Sequence, residues 1–345
     1  MENYRFIRGI IEFSVKRGID YIIDNPKRGL RNLVDLGKLF ASGPFQEIFF
    51  DIANEILHKE DSFYYEIIEN IVRNTDKDIL TNFGVNLGYN SFIYGARKLR
   101  ENEKRLKFKI PWTIVFDFRN KNEKTLNEEE IMNIFTSGKN VGIYCYIIFL
   151  DDNDILKDLA TIIKRNSDCA VTVIVSPKII NEEVIDTLTT INNLCLLVLI
   201  NDIDEAALSN TIDVLKKERL FYGGAYYYDD NNYSYIFDEE GLSEKLSNLD
   251  FNFLMMIQMP NCSKEISHFI QKLVYKTRLK TDSPLFMMDF YGDIELVGKI
   301  ISEMPKETHF LSVDDMGYIG LSSLESKTGY NIRSLSFNEI LSLVI

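Results

Sequence analysis

WTIVFDF, residues 112–118, is the first of seven short apolar runs that set the rhythm of the chain. The others are VGIYCYIIF (141–149), AVTVIV (170–175), LCLLVLI (194–200), FYGGAYYY (221–228), FNFLMMIQM (251–259) and LFMMDF (285–290). Amphipathic stretches of helix length lie between them, at 127–137, 154–165, 182–190, 203–217, 240–246 and 264–278. Strands that are apolar on both faces, each followed by a helix, form a parallel sheet covered by helices or closed on itself. Asn127, with Glu130 three residues on, is an N-capping signature for the first of these helices.

Outward from this core the pattern changes on both sides. Residues 1–108 carry helical periodicity and almost no strand signal, with breaks at Asn25-Pro26 and Gly43-Pro44. Beyond the last run, residues 309–313 and 318–321 flank Asp314-Asp315-Met316-Gly317, which reads as a β-hairpin, and residues 336–343 read as a final helix. The expected class is α/β: a partial or full TIM-like (β/α) barrel at 109–291, an α-helical segment at 1–108, and a hairpin-plus-helix extension at 292–345.

Composition agrees with a large folded core. The chain has 345 residues, 46% hydrophobic and 26% charged, which excludes a disordered or collagen-like protein. No apolar run reaches membrane-spanning length, and Glu2, Arg5 and Arg8 occupy the amino terminus, so a cytoplasmic protein without a membrane span is expected. The net charge of −13 repels phosphate backbones. A basic patch from Arg97 to Lys109 is interrupted by Glu101 and Glu103 and reads as a solvated helix face, so no nucleic-acid partner is expected.

In parallel α/β folds, ligands and chemistry sit beyond the carboxyl ends of the strands. Those ends offer Asp117 with Arg119, Asp151 with Asp152, Ser176, Asn201 with Asp202, Asp229 with Asp230, and Asp289. No HxH, HExxH or HxxxH spacing, nucleophile elbow, Walker motif or GxGxxG is present. Gly223-Gly224 lies inside an apolar run, where close packing explains it better than an anion cradle. Of Tyr226, Tyr227 and Tyr228, strand alternation sends some to the core and leaves others to edge a peptide groove.

The order of several segments resembles radical S-adenosylmethionine proteins with a helical amino-terminal segment and a SPASM-like carboxyl-terminal extension. The resemblance is carried by Gly84-Val85-Asn86-Leu87-Gly88-Tyr89-Asn90, Tyr94-Gly95-Ala96, Ile110-Pro111-Trp112-Thr113-Ile114 with Asp117, Asp168-Cys169 and Asn331-Ile332-Arg333. It spans nearly the whole chain and is best between residues 80 and 200. It implies the barrel, and also a CxxxCxxC loop after the first strand whose thiolates hold a [4Fe–4S] cluster.

That loop is missing. Residues 119–124 read RNKNEK, and the only cysteines are Cys145, Cys169, Cys195 and Cys262. The glycine-rich end expected on the second strand is replaced by Phe149, Leu150 and Asp151, and the third- and fourth-strand motifs by Ser176 and Asn201. The resemblance, so altered, implies a degenerate member with no metal, in which neither a cluster nor S-adenosylmethionine is expected. The function expected is that of a noncatalytic pseudoenzyme that binds a peptide or an active radical SAM homologue. One alternative is a barrel repurposed for cluster-independent catalysis, with Asp117, Asp151, Asp152 and Asp202 as acid/base or metal groups. Another is S-adenosylmethionine binding without iron.

Overall fold

The computed structural model describes residues 2–40, 44–119, 125–153, 155–201, 205–236, 246, 250–281, 283–302 and 308–344. The seven apolar runs become β1 (Thr113–Phe118), β2 (Cys145–Leu150), β3 (Ala170–Val175), β4 (Leu194–Leu199), β5 (Tyr222–Tyr228), β6 (Phe253–Gln258) and β7 (Phe286–Asp289). Each pairs in parallel with the next, as the crossover helices require. The expected hairpin forms between β8 (Leu311–Asp314) and β9 (Tyr318–Leu321), with Gly317 at φ 87° in its turn. Its first strand has a second role: β8 pairs in parallel with β1, from Ile114↔Leu311 to Asp117↔Asp314. A short β10 (Lys327–Asn331) adds antiparallel to β9, so the order is β10-β9-β8-β1-β2-β3-β4-β5-β6-β7.

Among the described residues β7 and β8 do not pair, so the parallel strands make a partial barrel. Its curvature follows from one contact. Strands β1 and β5 are four spacings apart, about 19 Å in a flat sheet. Yet Arg119, just past β1, reaches the Tyr227 hydroxyl on β5 at 3.5 Å. The sheet must roll to allow this. Inner and outer faces then sort by alternation. Phe116 and Phe118 stack outward with Phe135 and Tyr146 under the helical layer, whereas Asp117 points the other way.

Local signals explain where the elements end. The helix Glu128–Val141 starts at a full capping box, with the Asn127 side chain accepting from the Glu130 N–H and Glu130 accepting from the Asn127 N–H. It runs four residues further than expected and stops at Gly142, whose φ of 115° lies in the left-handed region that glycine favours. Gly223 is a packing position: a Cβ there would lie 2.2 Å from the Phe253 ring. The basic patch is only partly a solvated face, because Glu103 and Lys109 are both buried. The helix Phe290–Ile301 carries no clear sequence signal, since two of its twelve residues are glycine. Tertiary contact holds it: Phe290 and Ile294 are buried, and the Ile294 carbonyl accepts from the Trp112 indole at 3.0 Å.

The front segment consists of α1 (Glu2–Asp24), α2 (Pro26–Phe40), α3 (Pro44–Leu57), α4 (Tyr64–Asn74), α5 (Lys77–Val85), a π-helix (Asn86–Gly95) and α6 (Ala96–Leu106). Pro26 sits at the first position of α2, where its missing N–H costs nothing. These helices share a small core of their own around Ile22, Leu30, Val34 and Tyr65. They close the amino-terminal end of the barrel. Two buried amides make the joint: Asn86 donates to the Ser167 and Cys169 carbonyls at 2.8 and 2.9 Å, and Asn90 donates to Asp168 O and Asn86 Oδ1, both at 2.8 Å. Further along, Asp76 N–H donates to Arg219 O, and Phe63 N–H donates to Thr281 O. Among the described residues no comparable layer covers the carboxyl-terminal end of the strands.

Candidate functional site

At that open end the side chains converge on Arg119. Its guanidinium grips Asp117 through two bonds, Nε to Oδ1 at 2.7 Å and NH2 to Oδ2 at 2.9 Å. A planar fork on a planar carboxylate is the best geometry such a pair can have. The same guanidinium lies over the Phe149 ring at 5.2 Å, and NH2 reaches Glu325 Oε1 at 3.4 Å. One side chain thus ties together β1, β2, β5 and the extension after β9.

The pair is largely shielded, with side-chain exposures of 20% for Arg119 and 6% for Asp117. Burial opposes charge on Arg119. The hydrogen bonds and charge of Asp117 more than offset this and hold the guanidinium pKa above its ordinary value. Burial raises the Asp151 carboxyl, and Arg119 partly counteracts the rise. Tyr227 and Tyr291 are both pushed up to about 12 by burial, against the pull of Arg119. Among the described residues the mouth is therefore a half-dry platform of the fixed Arg119 cation, carboxylates that outnumber it, and tyrosine hydroxyls that stay protonated at neutral pH.

A second carboxyl is more deeply set. Asp289 closes β7, is 4% exposed, and accepts backbone N–H bonds from Tyr291 and Gly292. Burial first, then the Asp293 charge, raises its pKa from 3.8 to about 7. Asp293 in turn is bonded to Arg278 at 2.7 Å.

The sequence candidates separate clearly. Asp117 and Asp151 come together around Arg119, and Asp152 follows half-buried with a partner of its own. Asp202 lies outside the described residues. Phe149 is the floor beneath Arg119, and Leu150 is fully buried. Ser176 caps a turn, its Oγ accepting from Lys178 N–H at 3.4 Å. Asn201 clamps two strand ends, donating to Tyr227 O and accepting from Tyr227 N–H, both at 2.7 Å. The Asp229 carboxylate accepts from Asn231 and Asn261, and Asp230 accepts from Ser263 N–H, so that pair forms a self-contained turn. The sequence points to Arg119 only as a strand-end neighbour of Asp117 and to Tyr227 only as one of three tyrosines, and it does not single out Tyr291 or Glu325. Strand alternation signals Tyr227 alone, since Tyr226 and Tyr228 are buried on the other face.

The thiols do not fit an iron–sulfur cluster at this mouth. Cys145, Cys169 and Cys195 lie at or near the starts of β2, β3 and β4, the closed end of the barrel, and Cys262 stands by itself beyond β6. Burial pushes the Cys145 thiol up to about 12 and Cys262 up to about 11, and raises Cys169 and Cys195 as well, all away from the thiolate form that binds iron. No group of three or more His, Cys, Asp or Glu side chains among the described residues is arranged to hold a metal ion. No described helix is long and apolar enough to cross a membrane.

No protein-family model matches the chain, and no curated protein matches it in sequence. Solved structures do match its fold. SuiB of Streptococcus suis bound to S-adenosylmethionine superposes with a TM-score of 0.51 at 11% identity, covering 72% of this chain and 67% of that one. SuiB bound to its precursor peptide SuiA gives 0.50 at 10% identity, covering 72% and 68%. The radical-SAM-like fold expected from the sequence is borne out. The expectation that S-adenosylmethionine has no place here is corrected. A protein of this fold is solved with that molecule bound, so the fold itself accommodates it. The expectation rested on the missing cysteine loop and the altered ends of the second, third and fourth strands.

Proposed function

We propose that the mouth around Arg119 recognises a peptide and that the chain works by binding, without cluster chemistry of its own. The observation that carries this reading is the Arg119 platform. A guanidinium fixed by Asp117 and laid on Phe149 presents a rigid surface, with Tyr227 and Tyr291 as amphipathic rings beside it. Rigid aromatic and Arg groups contribute affinity at low entropic cost, which is what an extended peptide needs from a receptor. The SuiB structure with SuiA supports the reading by analogy of fold. Among the described residues carboxylates outnumber Arg119 here, so a peptide with a basic side chain or a free amino terminus is the better match. Peptides selected from a displayed library should bind the wild-type chain and lose at least tenfold in affinity to Arg119→Gln. Equal binding by that variant refutes the reading.

A second reading concerns the same mouth. Asp117 and Asp151 offer carboxylates to an ammonium or sulfonium group, and Arg119 offers a partner for a carboxylate. These are the charged parts of S-adenosylmethionine, and the SuiB complex motivates the test. Calorimetry should give a saturable heat that Asp151→Asn weakens. A flat titration removes this reading and leaves the peptide one standing.

A further inference from the structure

The outer wall of the barrel carries a second surface, independent of the reading of the mouth. The helix Lys264–Arg278 follows β6 and turns Ile270 and Val274 inward, both buried. Its opposite face holds Lys264, His268, Lys272 and Lys276 in one row four residues apart, and Lys280 continues the row just past the helix end. All five are exposed, and none of the four lysines has a carboxylate at ion-pair distance among the described residues. The chain as a whole has a net charge of −13, so this face opposes the sign of the rest.

The row is a poor choice for a helix that only has to fold. Elsewhere in this protein four-residue spacing on helices serves ion pairs: Arg8 with Glu12, Arg73 with Glu69, and Lys299 with Glu295. Here Lys272 and Lys276 occupy such a pair of positions and repel instead. Lys264 stands at the first position, where the helix dipole favours an anion, and Glu265 is the single acid of the helix. Three large apolar side chains share the face: Phe269 is 49%, Tyr275 51% and Leu279 44% exposed. Neither like charges nor bare apolar surface stabilises the free chain, and both are relieved when an anionic, partly apolar partner covers them.

The distribution selects among anionic partners. Lys272 and Lys276 lie between Phe269 and Leu279 on the helix surface, so the apolar groups form no unbroken stripe to sink into acyl chains as an interfacial helix does. A nucleic-acid duplex carries one charge per about 1.7 Å over a long axis and would meet the acidic remainder of the surface as well. A short acidic segment meets this face alone. Four-residue steps along a helix advance about 6 Å, so carboxylates one turn apart on a partner helix match the lysines in turn, while its apolar groups cover Phe269, Tyr275 and Leu279. We propose that this face docks an acidic amphipathic helix of a partner protein.

The test uses the full chain and a labelled peptide of about 20 residues, with Glu at every fourth position and Leu and Ala between, read by fluorescence anisotropy. The peptide should bind saturably and weaken as salt is added. Its counterpart with Gln in place of Glu should bind about tenfold more weakly, and Lys272→Gln/Lys276→Gln should cost a similar factor. The ligand-free melting temperature of that lysine variant should hold or rise, because the repulsion is gone. Phe269→Ser/Leu279→Ser should weaken binding as well, and Arg119→Gln should leave it unchanged. No saturable binding, equal binding of the Gln peptide, or unchanged affinity or a lower melting temperature in the lysine variant overturns the proposal. Tighter binding of phosphatidylserine vesicles or of an oligonucleotide of similar length overturns it in favour of that surface. A dimer of the free chain that the lysine variant splits overturns it in favour of a second copy.

Discussion

The two ends of the barrel are built from different chemistry. At the amino-terminal end the buried polar joint is made of amides that donate to backbone carbonyls, Asn86 and Asn90 on the 167–169 turn, and Asn193 to Cys169 O at 2.8 Å and Asn166 O at 3.1 Å, with the Lys139–Asp168 ion pair at 3.2 Å beside them. The thiols there are buried and protonated. At the carboxyl-terminal end the polar groups are ions and phenols gathered on Arg119, partly open to water. Buried amides bonded to backbone carbonyls hold the front helices against the strands. An end that keeps a fixed charge beside surplus carboxylates still has interactions to offer. This contrast is what the proposed function rests on: structure at one end and, on that proposal, recognition at the other.

The largest expected effect breaks the structural end. Asn86→Ala takes a donor from the Ser167 and Cys169 carbonyls and an acceptor from the buried Asn90 amide, and should cost about 3 kcal/mol of stability in urea unfolding. Binding at the mouth should persist while the protein stays folded. Loss of mouth binding in a folded Asn86→Ala chain would mean that the two ends are coupled.

A somewhat smaller effect, with a pH signature, belongs to Asp289. Its folded pKa of about 7 lies above the unfolded 3.8, so the folded state holds the proton more tightly. The stability this gives is complete below pH 4 and is lost as pH rises through 7. Asp289→Asn, which needs no proton to stay neutral, should therefore gain stability over wild type above pH 7 and none near pH 4. A gain that does not vary with pH would show that burial does not control this carboxyl.

Much of this contrast was legible in the sequence, and its limits are physical. Seven apolar runs specify seven parallel strands because each side chain is buried whichever face it points to, as in the all-buried β1. The parallel pairing of β8 with β1 was not legible, because a hairpin strand looks the same whatever lies on its far edge. Asp117 and Asp151 could be found from the rule about strand ends. Arg119 was harder, since its role arises from long-range partners: Tyr227 lies 108 residues away and Glu325 lies 206. Periodicity reports which face a residue takes, and it cannot report who stands opposite in a rolled sheet.

Smaller effects sharpen the assignment. Arg119→Gln leaves the shielded Asp117 carboxylate without its cation and should lower stability, while mouth binding falls at least tenfold. The reverse pattern, a large stability loss with binding intact, would make Arg119 a strut. Last is the surface pair of Arg333 with Glu130, at 2.6 and 2.9 Å, which joins the extension to the first barrel helix. Arg333→Ala should cost no more than about 1 kcal/mol and leave binding unaltered.

The most direct test of where this protein does its work is hydrogen exchange of the full chain with and without a library-selected peptide. The account predicts that protection concentrates at the ends of β1, β2, β5 and β7 around Arg119, with the 167–169 turn unchanged. Protection confined to the front helices or to the amino-terminal end of the strands would contradict it.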